Sequence, residues 1–317
     1  MNTRAIYSTE PHRGWLPWGA LAPILAIVFV AAAAIPFELG FERLGLIDAH
    51  GNPVGFRGIA LFLLLPFAAT GLLVLGWVRF VERRSLSSIG LTRLGAGRLF
   101  VRGHLIGCAT ILLVVLAMWL AGGLDAVSYA PAWRAPRELL AIAALLFCFL
   151  VQASVEEIVF RGWMLSAVAR KFNVATAVVL SSLIFCLLHF SRGQPWLVTL
   201  NLVLFGLFVC AWALRANNIW GVMGWHAGWN WLLATGFELP VTGLDLKLPA
   251  LLVALTPRGS DYLTGGTQGP EGSIACTAFL AVAIFMLTRK KKNGLSLESD
   301  PRHKFAAGVS RQRMPSR

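Results

Sequence analysis

Residues 139–157 read Leu-Leu-Ala-Ile-Ala-Ala-Leu-Leu-Phe-Cys-Phe-Leu-Val-Gln-Ala-Ser-Val-Glu-Glu. An apolar run of this length is what a helix needs to cross about 30 Å of hydrocarbon. Its last two residues, Glu156 and Glu157, are adjacent carboxylates, and an acid placed in or against hydrocarbon costs several kcal/mol by most estimates. Ionisable groups in such positions face a cavity, pair with one another or carry out chemistry. The stretch therefore predicts a membrane helix with the functional centre at its end.

The rest of the chain agrees. Hydrophobic residues make up 57% and charged residues 14% of the 317, with a mean hydropathy of +0.69, a balance that no soluble domain of this length needs to fill its core. Eight apolar segments are long enough, or nearly so, to span: 17–38, 59–80, 103–122, 138–160, 172–190, 196–214, 218–237 and 273–288. The expected fold is all-α, a polytopic transmembrane helical bundle of about eight spans with an internal polar cavity. It forms a single membrane domain over 1–288, followed by a basic, disordered cytosolic tail at 289–317. The first segment exceeds a signal-peptide apolar region and reads as a retained span.

Cations fall on alternate connections. Arg79, Arg83, Arg84, Arg93 and Arg98 lie between the second and third segments, Arg170 and Lys171 after the fourth, and Arg289, Lys290, Lys291 and Lys292 open the tail. The opposite connections hold Glu38, Glu42, Asp48, Asp125, Glu238, Asp245, Asp261 and Glu271. By the positive-inside rule both termini are cytosolic, in an integral protein of the bacterial inner membrane. The net charge of +13 is thus a topology signal, and cations spread over several loops argue against a nucleic-acid partner. The two long connections, 81–102 and 238–272, are expected in water or against headgroups. All five cysteines fall in apolar segments and read as small buried residues.

Three polar pairs sit inside apolar segments, each at i and i+4 and so on one helix face. These are Glu157 and Arg161, with Glu156 turned about 100° away as the freer carboxylate; Phe185 and His189, with Ser181 and Ser182 ahead; and His226 and Asn230, among several tryptophans. Each alone has a structural explanation, as an interfacial anchor, a hydrogen-bonded core histidine or interhelical glue. Three together, in a chain with few other ionisable groups in its spans, point to one functional centre.

In this order and spacing, Glu156-Glu157-x-x-x-Arg161, Phe185-x-x-x-His189 and His226-x-x-x-Asn230 resemble the CAAX prenyl protease and bacteriocin-processing (CPBP) family of intramembrane proteases, over about 138–237. The resemblance implies an intramembrane endopeptidase acting on a membrane-embedded or membrane-associated peptide or protein. It makes Glu156 the general base, His189 its partner in holding the attacking water, and His226 and Asn230 the oxyanion donors. Glu157, Arg161 and Phe185 take supporting roles. No cofactor is required on this reading. A zinc site built from Glu156, His189 and His226 is the metal-dependent alternative. From other classes, the same polar groups suit a proton- or cation-coupled transporter, or an inactive membrane scaffold.

One geometric expectation is specific. With the fourth segment ending near 160, Glu156 lies about 27 Å along its helix at 1.5 Å per residue, near the cytosolic side, while His189 falls near the outer side. Bringing them together then demands that 162–172 re-enter the bilayer as irregular backbone.

Overall fold

The computed structural model describes residues 6–8 and 12–289. The helices in chain order are α1 (Leu21–Arg43), α2 (Gly55–Gly76), α3 (Ala96–Leu120), α4 (Pro136–Glu157), α5 (Leu165–Lys171), α6 (Val174–Leu188), α7 (Trp196–Ala216), α8 (Trp220–Gly236), the single turn α9 (Asp261–Thr264) and α10 (Ile274–Thr288). Two short strands, β1 (Leu124–Tyr129) and β2 (Val253–Pro257), pair antiparallel with Leu124 opposite Pro257. The chain is an integral membrane protein built as a helical bundle. Six helices are long and apolar enough to cross a membrane, and α6, at 15 residues, is a shorter apolar helix. The eight expected segments thus correspond to eight helices of unequal reach. Of the expected tail, only Arg289 lies within the described residues.

Alternation of direction makes α3 and α8 parallel, and glycine lets them approach backbone to backbone. A Cβ on Gly103 or Gly107 would lie 2.1 Å from the carbonyl oxygen of Gly221 or Trp225, and one on Gly224 or Gly228 would meet Phe100 or His104 at 2.0 and 2.2 Å. Small residues at four-residue spacing on both helices allow this, because lipid supplies no hydrophobic drive to hold helices together and close dispersion contact must do so. Since α3 and α8 end on the same side, β1 and β2 can clip the connections that follow them.

The expected re-entrant segment is absent. Ile158–Met164 continues α4 as π-helix and α5 extends it, so that 136–171 is one apolar helix. Arg170 and Lys171 form its last turn, where cations suit the carbonyl end of the helix dipole. This disposes of the mismatch between Glu156 and His189. Glu156 lies 15 residues before the end of α5 and His189 a similar distance after the turn into α6, so the antiparallel pair brings both to the same level. Two carbonyls of the π segment also accept side-chain donors from outside the helix. Ser181 Oγ donates to Phe160 O at 3.1 Å and the Tyr7 hydroxyl to Arg161 O at 2.7 Å.

The 81–102 connection also departs from expectation, since its first part packs inside the bundle. Glu82, Arg84, Ser88 and Ile89 are buried. Arg84 pairs with Glu82 at 2.9 Å and donates to Ser166 Oγ at 2.6 Å, while Glu82 Oε1 accepts from Trp163 Nε1 at 2.7 Å and Trp77 Nε1 at 3.1 Å. Burial is tolerated because the charges find partners at once. The five cysteines are free, four buried and Cys108 partly so.

Candidate active site

Helix α4, the end of α6 and helix α8 contribute motif residues to the wall of a single cavity of about 240 Å³, which Glu157 and Arg161 back without lining it. Glu156, Phe185, His189, His226 and Asn230 all line it, together with Gln152, Phe205 and Glu271. Glu156, His226 and Asn230 are buried, and His189 is partly open, with its side chain 22% exposed.

The two histidines face Glu156 in the same way. His189 Nδ1 lies 2.9 Å from the Phe185 carbonyl oxygen, which can only accept, so Nδ1 donates and Nε2 turns toward Glu156 Oε1 at 3.7 Å. His226 Nδ1 lies 2.9 Å from Glu157 Oε1, which turns its Nε2 toward Glu156 Oε2 at 3.7 Å. Both separations are too long for a direct hydrogen bond and of the length that one bridging water spans.

Glu157 does more than pair with Arg161 along its own helix. It is fully buried, accepts from Arg161 Nη1 at 3.2 Å and holds His226 across 69 residues of sequence. A carboxylate on the far nitrogen of an imidazole sets its tautomer and ring orientation. The Arg161 guanidinium, also fully buried, lies 4.4 Å from the centre of the Phe185 ring, an arrangement that offsets part of the cost of a desolvated cation. On its other side Phe185 stacks on His189, with ring centres 4.2 Å apart. The Phe185-x-x-x-His189 spacing thus locks the imidazole between a helix carbonyl and an aromatic face. Charges balance locally, since Arg161 and Glu157 cancel and Glu156 is left as the carboxylate facing the cavity.

Residues that the motifs do not include complete the site. Gln152, one turn before Glu156 on the same face of α4, accepts from Asn230 Nδ2 at 3.2 Å. An amide interrupting an apolar run at i−4 from a key carboxylate is a signal the sequence did carry. Phe205 on α7 stacks on Phe185 at 5.3 Å and meets His226 edge-on at 4.9 Å; as one of 20 phenylalanines it carries no such signal. Glu271 and Thr242 come from the 238–272 connection. Glu271 Oε1 accepts from Trp229 Nε1 at 3.0 Å and Oε2 from Thr242 N and Oγ1 at 2.7 Å, which ties residues 241–244 across the mouth of the cavity. A second cavity of about 150 Å³, walled by α1, α2 and α6, reaches Glu156 and His189 from their other side, and its walls are apolar apart from these two and Thr70. Glu156, His189 and Phe67 line both cavities.

Residues 138–232, under a third of the chain, match the family described as Rce1-like, type II CAAX prenyl endopeptidase Rce1-like. Over that stretch the chain is similar to type II CAAX prenyl endopeptidases. No curated protein and no solved structure matches it significantly. The matched stretch begins in the first turn of α4 and ends in α8, so this core contains every motif residue above and the π segment between them. Tyr7, Glu82, Arg84 and Glu271 lie outside that core and support it from both ends of the bundle.

Proposed function

We propose that the chain hydrolyses a peptide bond of a membrane-associated or lipidated substrate with Glu156 as general base. The observation that carries this is a single buried carboxylate faced by two imidazole Nε2 atoms at 3.7 Å on the wall of a cavity. A water held between Glu156 and His189 gives a proton to Glu156 as its oxygen attacks the scissile carbonyl. His226, oriented by Glu157 at Nδ1, and the free N–H of Asn230 meet the oxyanion. The C–N bond then breaks, and the leaving nitrogen takes the proton from Glu156. The apolar walls of both cavities that Glu156 and His189 line suit the hydrophobic part of the substrate.

Among the described residues no group of three or more His, Cys, Asp or Glu side chains is gathered closely enough to hold a metal ion. We therefore route no step through the zinc set Glu156, His189 and His226. The distribution of Lys and Arg supports both termini in the cytosol, with the protein in a bacterial inner membrane.

Glu156→Gln tests the proposal. It keeps the volume and removes the base, so membrane peptide termini generated by the native protein should disappear with the variant at equal abundance. Unchanged termini would mean a scaffold or a transporter. Cleavage by the purified native protein should survive a strong chelator, and its loss, with recovery on adding zinc, would move the mechanism to the metal set.

A further inference from the structure

A third cavity, of about 470 Å³, lies away from the active site between α3, α7, α8 and α10. Its walls are largely apolar. Trp225 Nε1 donates to Thr110 Oγ1 at 2.9 Å, and that hydroxyl donates onward to Ile106 O at 2.9 Å. Water finds few partners along such walls, whereas an apolar chain would gain dispersion contacts there. Val282 and Met286 on its rim are exposed, so the cavity opens on the outer face of the bundle, where a bilayer supplies acyl chains.

One end of this groove is cationic. Arg215, at the end of α7, lines it and donates through Nη1 to Leu287 O at 2.6 Å and to Arg289 O at 3.3 Å. Arg289 lies over the Phe285 ring at 4.5 Å. The lining contains no acidic side chain. An apolar slot with Arg215 at its end and Arg289 beside it matches one ligand chemistry, a hydrocarbon chain bearing an anionic headgroup. We propose that this groove is a binding site for one anionic phospholipid, with an acyl chain against Trp225, Phe208 and Phe279 and its phosphate at Arg215. The site is independent of the peptidase reading.

Native mass spectrometry of the full chain released from nanodiscs of equal phosphatidylglycerol and phosphatidylcholine tests this. The expected result is one retained phosphatidylglycerol in preference to phosphatidylcholine. Arg215→Gln should cut that preference about fivefold, the effect of one cation near an anionic surface, while a lipid is still retained. Ala283→Trp, which fills the slot, should abolish retention of either lipid; Arg215→Gln alone decides the matter if this larger change prevents folding. Equal retention of the two lipids by the native protein overturns the proposal, as does no retained lipid, or a preference that Arg215→Gln leaves unchanged.

Discussion

Gly228→Ala puts the smallest possible change where the structure has least room. The new Cβ would lie 2.2 Å from the His104 carbonyl oxygen, a backbone atom, whereas ordinary contact begins near 3.4 Å. Helices α3 and α8 must then separate by about 1 Å, because repulsion rises steeply inside contact distance. His226 is two residues from Gly228, about 200° around the helix, so a push from the α3 side drives His226 toward α4. There its Nδ1 is only 2.9 Å from Glu157 Oε1, and its Nε2 aims at Glu156. A misplacement of about 1 Å in a catalytic constellation costs on the order of 10²-fold in rate, or about 2.7 kcal/mol of barrier, beside about 1–3 kcal/mol of stability from overpacking. The assay is turnover of a membrane peptide found through the Glu156→Gln comparison, read beside the thermal midpoint of the purified protein. Gly97→Ala, where nothing lies within 4 Å of the new Cβ, is the control and should change neither. Native rate and native midpoint in Gly228→Ala would refute the claim that backbone contact between α3 and α8 sets the position of His226.

Other substitutions probe the supports at each end of the bundle. Arg84→Met leaves the Glu82 carboxylate buried without its cation and should cost about 3–5 kcal/mol. The double variant with Glu82→Gln should recover part of that loss in thermal unfolding, and strict additivity would count against the pair. Tyr7→Phe removes the hydroxyl that donates to the Arg161 carbonyl, an effect of about 0.5–1.5 kcal/mol; an unchanged midpoint would mean that the N-terminal segment does not brace α4. Glu271→Gln turns an amide NH2 toward either Trp229 Nε1–H or Thr242 N–H, two donors facing a donor. Residues 241–244 should loosen and KM should rise more than kcat falls, whereas a pure loss of kcat would place Glu271 in the chemistry instead.

How much of this was legible in the sequence follows from distance along the chain. The i, i+4 pairs are local, and helix geometry alone puts Glu157 beside Arg161 and Phe185 against His189. The same local reading failed at 158–171, because hydropathy drops at Arg161 while the helix does not end. Its continuation depends on partners as remote as Tyr7 and Ser181, which satisfy the carbonyls of the π turn. The 81–102 connection misled for the same reason, since the polarity of Glu82 and Arg84 reads as solvent until Trp163 and Ser166 are seen to meet them.

The sequence by itself determined the solvent and offered the candidate groups: apolar runs long enough for hydrocarbon, and three helical faces bearing motif residues at i and i+4. Tertiary structure alone decided which face meets which. It gave His226 to Glu157, set Gln152 beside Asn230, laid Phe205 on both Phe185 and His226, and drew Glu271 over the cavity mouth. The physical reason is that helical spacing fixes neighbours within a turn. Contacts between elements depend instead on where glycines allow backbones to touch and where buried charges find partners, and both are properties of the packed bundle.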